Sequence, residues 1–123
     1  MIEVYLWINA AIYILFALWC TFQKTQTSKA SGYLTLNNSG WSEYLVIYGG
    51  LQFGLAGFFG YLASQAELHQ IGIIFSLILY VPIVLYRLTT VYKFRPVKRI
   101  TLAIATMEII LLLAAVILNY KII

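Results

Sequence analysis

Four long apolar runs constrain what this chain can fold into more than any other feature of its sequence. They cover residues 2–22, 43–63, 71–91 and 99–119, and each is close to the ~20 residues that an α-helix needs to cross the hydrocarbon core of a bilayer. None of them alternates apolar and polar residues as the strands of a membrane barrel do. Backbone polar groups inside a bilayer must be paired within the protein, which only α-helices and closed β-barrels achieve. With a barrel excluded, the runs are expected to be α-helices. The sequence therefore predicts an all-α fold, a polytopic bundle of four transmembrane helices in a single domain.

Composition excludes several other classes of protein. The chain is 63% hydrophobic and only 10% charged, whereas a soluble domain is about 25% charged. The net charge is +4, but the basic residues adjoin the apolar runs, which indicates membrane orientation rather than nucleic-acid binding. One cysteine and one histidine offer neither a thiolate metal site nor a pair of haem ligands. We therefore expect no metal and no cofactor, and membrane lipids as the immediate partners.

The charges around the spans predict an orientation. The loops 23–42 and 92–98 lie on the same side of a four-span chain, and Lys121 lies on the other side. The basic residues on or beside the two loops are Lys24, Lys29, Lys93, Arg95, Lys98 and Arg99. The positive-inside rule then predicts that both loops are cytoplasmic and that both termini are periplasmic, in a bacterial inner membrane. The first run carries Glu3 and no basic residue before it, unlike a signal peptide, so we expect a retained helix.

Span two is unusually rich in glycine, at Gly49, Gly50, Gly54, Gly57 and Gly60. Glycine costs roughly 1 kcal/mol relative to alanine inside a helix, so five of them need a reason. In lipid, small residues let two helices approach closely. We therefore expect span two to be the central packing helix of the bundle. A compatible alternative is that the missing side chains leave room for a ligand.

Two charged residues, Arg87 and Glu108, lie further into their apolar runs than the first two residues. Glu108 is about nine residues into span four, which places it roughly 13 Å from the end of that helix. An unpaired carboxylate there costs about 2.5–3.5 kcal/mol, so it must be paired, solvated in a cavity or protonated. Arg87 lies near the end of span three and is long enough to reach the interface.

Further polar side chains lie in the same half of the spans or recur at helical spacing along them. They are Glu43, Tyr48 and Gln52 in span two, Tyr80 in span three, and Asn9 and Tyr13 in span one. We expect these side chains to converge on one polar pocket in the cytoplasmic half, where Arg87 pairs with Glu108, Glu43 or both. The alternative is a purely structural ion pair with hydrogen bonds that fix the register of the helices.

Short motifs follow one another in a characteristic order. They are Gly-Trp-Ser-Glu at 40–43, Tyr-Gly-Gly-Leu at 48–51, Gly-Leu at 54–55, Tyr-Arg at 86–87 and Met-Glu at 107–108. Over roughly residues 40–118 the chain resembles a family of small bacterial four-helix membrane proteins of unknown function, loosely DoxX-like. The resemblance implies a four-helix bundle and no established activity. Its signature positions are Glu43, Tyr48, Gly49, Gly50, Arg87 and Glu108. Some DoxX-like proteins are associated with quinone-linked oxidoreductases, but this sequence shows no redox ligands.

Three functions fit these features. The first is a binding or accessory protein that holds a lipid, a quinone or another amphipathic ligand in the pocket. The second is a proton-coupled transporter or channel that uses Glu108. The third is a membrane isomerase that uses a carboxylate as an acid or base. No catalytic residue is identified, so the sequence leans away from an enzyme. It leaves open a homodimer or a larger membrane complex.

Overall fold

The computed structural model describes residues 1–122 and confirms the all-α fold. Its helices are α1 (Ile2–Phe22), α2 (Lys24–Ala30), α3 (Asn38–Ser64), α4 (His69–Lys93, after a 3₁₀ turn at Ala66–Leu68) and α5 (Arg99–Ile122). Within residues 1–122, four of these helices, α1, α3, α4 and α5, are long and apolar enough to cross a membrane. That property fits an integral membrane protein.

The two loops differ from their predicted extent. Helix α3 begins at Asn38, well before the predicted start of span two, because the Asn37 side chain caps it: its Oδ1 accepts from the backbone N–H of Gly40 at 2.8 Å. At the same end of the bundle, α4 continues to Lys93 and the following turn is shorter than predicted.

The loop between α1 and α3 contains a short helix that hydropathy does not reveal. Helix α2 ends in a Schellman motif, in which Gly32 N–H donates to Lys29 and Tyr33 N–H donates to Ser28. Gly32 has a φ of 101°, a conformation that side-chain-bearing residues rarely adopt. The Tyr44 hydroxyl donates to Thr27 Oγ1 at 2.7 Å and ties α2 to α3. The turn therefore fixes Tyr33 at this end of the bundle, which we call the basic end (residues 23–37 and 94–98).

The bundle is built from two closely packed pairs of helices. Helix α1 packs along α3, α4 packs along α5, and contacts between α1 and α4 join the pairs. The core contains buried side chains from all four long helices, among them Leu6, Phe59, Ile73 and Ala115. Helix α1 buries the largest share of its residues. The buried share of α3 is smaller than that of α1, so burial does not single out span two, and its central position stays a prediction.

The five glycines between residues 49 and 60 of α3 divide into two groups. A Cβ on Gly49 would lie 2.8 Å from Thr21 Oγ1, and one on Gly60 would lie 3.5 Å from the Trp7 ring. The other three, Gly50, Gly54 and Gly57, face open space. Within residues 1–122, close packing is therefore seen on the face towards α1, and no neighbouring side chain lies within 4 Å of the face with Gly50, Gly54 and Gly57.

Candidate functional site

A cavity of about 720 Å³ lies in the half of the bundle next to the basic end. All four long helices and the loop after α2 contribute to its wall. Its polar lining residues include Tyr13, Tyr33, Tyr48, Gln52, Arg87 and Glu108, and its apolar lining residues include Ile12, Phe16, Leu51, Leu55, Leu79 and Ile83. The cavity thus combines an apolar wall with a small set of polar groups, as small-molecule sites usually do.

The charged group in the cavity wall is a salt bridge between α4 and α5. Arg87 Nε donates to Glu108 Oε1 at 2.8 Å, and Nη2 donates to Glu108 Oε2 at 3.2 Å. This is the two-pronged geometry in which a guanidinium and a carboxylate bind most strongly. The side chains are 30% and 12% exposed, so the pair is partly buried. The pair has no net charge, yet the guanidinium keeps three N–H donors that are not used on Glu108.

Aromatic side chains form the wall near the basic end. Tyr33 lies edge-on to Tyr44 and to Tyr48, and the Tyr44 and Tyr48 rings are stacked with centroids 4.5 Å apart. The Tyr33 and Tyr48 hydroxyl groups are 2.8 Å apart and share a hydrogen bond. The loop after α2 therefore contributes a side chain to a site that is otherwise made by the long helices.

A π-helical turn at Val46–Gly50 sets the direction of the α3 side chains. Such turns insert a residue into the helix and shift the faces that follow it. Gln52 Nε2 donates to the Ile47 carbonyl oxygen, five residues earlier, at 3.1 Å. Tyr48 and Gln52 both reach the cavity, although the regular four-residue spacing from which they were grouped is broken by this turn.

A second group of polar side chains lies deeper in the core. Asn9 and Tyr80 are almost fully buried, and the Tyr80 hydroxyl donates to Asn9 Oδ1. The Tyr80 and Tyr13 hydroxyl oxygens are 2.8 Å apart. Asn9 Nδ2 donates to the Tyr5 carbonyl oxygen at 2.9 Å. Tyr13 thus connects this buried chain of hydrogen bonds to the cavity that it lines.

Three of the candidate site residues do not line the cavity. Glu43 is exposed. Because α3 begins at Asn38, Glu43 lies within the helix and not at its N-terminus, where the helix dipole would have stabilised the carboxylate. Arg87 is paired with Glu108 instead. Asn9 and Tyr80 belong to the core behind Tyr13, since their faces of α1 and α4 are the ones at which these helices meet.

Sequence reasoning missed two residues of the wall near the basic end. Tyr33 and Phe94 line the cavity but lie in the loops, outside the apolar runs. Gly32 before Tyr33 was the available signal, because a glycine after a short polar segment is typical of a helix end.

Within the described residues, no group of three or more His, Cys, Asp or Glu side chains could hold a metal ion. No protein-family model matches the chain, and neither a curated protein nor a solved structure shows significant similarity to it. The fold and the site together define a helical bundle with four candidate membrane spans and a polar cavity among them. The resemblance to the DoxX-like family stays a prediction.

Proposed function

We propose that this protein binds an amphipathic small molecule, a lipid or a molecule of similar shape, in the cavity beside Arg87 and Glu108. The observation that carries the proposal is the cavity of about 720 Å³ whose wall contains this bidentate ion pair. Sites for small molecules commonly measure about 300–1,000 Å³. A helix pair that was held together only by a structural salt bridge would not need such a space.

The chemistry of the wall supports an amphipathic occupant. Leu51, Leu55, Leu79 and Ile83 would surround an apolar chain, and Arg87 with its partner would contact a polar head. Molecules of this kind partition into the bilayer, which brings them to spans of high hydropathy. The polar groups would then fix the orientation of the head, and the apolar wall would contribute most of the buried area.

The charge of the site supports a head without net charge. An anion would have to compete with Glu108 for the Arg87 guanidinium, and a cation would have to compete with Arg87 for the Glu108 carboxylate. Breaking a partly buried ion pair is expensive, because one charge is left without its partner. A neutral hydroxyl or carbonyl can instead accept from the unused N–H donors and leave the pair intact.

The same ion pair weighs against the transporter that the sequence also allowed. Proton-coupled transport requires Glu108 to take up and release a proton, and here both of its carboxylate oxygens accept hydrogen bonds from Arg87. For localisation we propose the bacterial inner membrane with the basic end in the cytoplasm and both termini periplasmic, on the distribution of Lys and Arg.

Filling the cavity tests the proposal. Leu55→Trp adds a large ring to the cavity wall, so we expect it to lower the amount of co-purifying amphipathic molecule at least about tenfold, because each 1.4 kcal/mol of lost binding is tenfold in affinity. Native mass spectrometry of the gently solubilised protein, followed by extraction and identification of the bound molecule, measures this amount.

Leu113→Trp is the matched control, because Leu113 is exposed on α5 and does not line the cavity. It should retain the bound molecule at the wild-type level. Equal retention in Leu55→Trp and Leu113→Trp would contradict the proposed site, and the absence of any bound amphipathic molecule in the wild type would contradict the function.

A further inference from the structure

We propose that the buried Asn9 fixes the direction of a hydrogen-bond chain so that Tyr13 offers the cavity only an acceptor, and that the site therefore selects amphipathic alcohols over the corresponding ketones. This inference rests on the proposed function and adds the class of head group that the cavity takes. It is carried by the geometry of three side chains, Asn9, Tyr80 and Tyr13.

The chain of hydrogen bonds begins at a backbone carbonyl. Asn9 is 0% exposed, and its Nδ2 donates to the Tyr5 carbonyl oxygen at 2.9 Å. A carbonyl oxygen can only accept. If the Asn9 amide were reversed, its Oδ1 would face this carbonyl oxygen without a proton between them, so the amide has one allowed orientation. Its Oδ1 must then point towards Tyr80.

The next two steps follow from the number of protons on each hydroxyl. Asn9 Oδ1 can only accept, so the Tyr80 hydroxyl donates to it, and a phenol has a single proton to give. The Tyr80 oxygen can therefore only accept from its other neighbour. That neighbour is the Tyr13 hydroxyl at 2.8 Å, so Tyr13 donates to Tyr80.

Tyr13 has then used its own proton inside the core. Its ring is stacked on Phe59 with centroids 5.7 Å apart, which keeps the side chain in place, and the residue lines the cavity. A group of the ligand that reaches the Tyr13 oxygen must supply the proton itself. A carbonyl oxygen placed there would meet a lone pair and lose its hydrogen bond to water without replacement.

The rest of the cavity wall supplies donors. The Arg87 guanidinium keeps N–H groups that are not used on Glu108, and of the two hydroxyl protons in the Tyr33–Tyr48 pair only one is used between them. A ketone or quinone head can accept from the donors on this side, but it has no proton to donate to the Tyr13 oxygen. A hydroxyl head accepts on one side and donates on the other, so it satisfies both.

A matched pair of ligands tests this selection. Tridecan-2-ol and tridecan-2-one have the same carbon skeleton and differ only in the hydroxyl and carbonyl group. In scintillation-proximity binding of tritiated tridecan-2-ol to the protein in nanodiscs, with empty nanodiscs as background, we expect the unlabelled alcohol to compete about fivefold better than the ketone. This ratio corresponds to one net hydrogen bond. In Tyr13→Phe the ratio should fall to about one, because the acceptor is gone.

Variants of Asn9 and Tyr80, the two residues behind Tyr13, test whether the hydrogen-bond chain sets the preference or whether the contact with Tyr13 is enough by itself. In Asn9→Leu the Tyr80 hydroxyl loses its acceptor and can donate to Tyr13, which frees the Tyr13 proton for the cavity, so the preference should reverse in favour of the ketone. If Asn9→Leu fails to fold, Tyr80→Phe decides, because it also frees that proton and should abolish the alcohol preference. Tyr61→Phe is the control; Tyr61 is exposed and does not line the cavity, and it should keep the wild-type ratio.

The outcomes distinguish the two proposals. If the wild type binds neither compound above the background of empty nanodiscs, the proposed function fails. If the wild type binds both equally well, or if the ratio in Tyr13→Phe stays at the wild-type value, the protein binds amphipathic molecules and the inference about the head group is overturned. The same holds if neither Asn9→Leu nor Tyr80→Phe changes the ratio.

Discussion

Arg87→Met should lower the free energy of unfolding by about 2–3 kcal/mol, because it leaves the Glu108 carboxylate without its partner in a mostly apolar bundle. Fully buried pairs that lose one partner cost about 3–5 kcal/mol, and the smaller value follows from the partial exposure of Arg87. The measurement is an unfolding titration in mixed detergent micelles or steric trapping in bicelles.

The double variant Arg87→Met/Glu108→Leu shows whether the loss comes from the unpaired charge. With both charges removed, apolar side chains can fill similar volume, and we expect the double variant to be more stable than Arg87→Met alone by about 2 kcal/mol. If the double variant is no more stable than Arg87→Met, the unpaired charge is not the cause of the loss and this explanation is wrong.

Arg95→Met is a matched control at the same end of the bundle. Its guanidinium lies over the Tyr92 ring at 4.5 Å from the centroid, and both residues are exposed. Contacts of this kind at exposed sites contribute about 0.5–1 kcal/mol. Arg95→Met should therefore change the stability by less than half as much as Arg87→Met.

The fold class could be predicted from the sequence because apolar runs of the length of a bilayer report on each helix separately. The short helix α2 could not be found in this way. It is polar, it is only seven residues long, and the hydrogen bond from Tyr44 to Thr27 that holds it comes from another helix. Its stability therefore depends on tertiary contacts that no local pattern contains.

For the polar residues too, the sequence predicts what depends on one helix and not what depends on contacts between helices. Their positions inside two apolar runs assigned Arg87 and Glu108 to a polar pocket, since both are costly in lipid. Spacing could not choose between Glu108 and Glu43 as the partner of Arg87, because that choice depends on how each helix is rotated about its axis. The orientation of α1 and α4 about their axes likewise places Asn9 and Tyr80 in the core and not in the cavity wall. The π-helical turn at Val46–Gly50 changes the rotation within a single helix.

The glycines give the clearest case, and the second large effect is expected at one of them. A Cβ on Gly72 would lie 2.8 Å from both Cδ atoms of Leu6, which is 0% exposed. The backbone of α4 therefore lies close to the Leu6 side chain of α1 at this position. Gly72→Leu should therefore destabilise the protein by about 3 kcal/mol, at the upper end of what overpacking usually costs, in the same unfolding measurements.

Gly57→Leu makes the same substitution where a Cβ meets nothing within 4 Å. It should leave the stability unchanged or raise it by up to about 1 kcal/mol, because leucine is the better helix former and the added side chain enters lipid without displacing a neighbour. A loss in Gly57→Leu as large as in Gly72→Leu would mean that another molecule packs on that face of α3. In that case the number of glycines in a span would indicate a packing surface. With the expected contrast, the distance from the glycine to the neighbouring helix decides how much a larger side chain costs in stability.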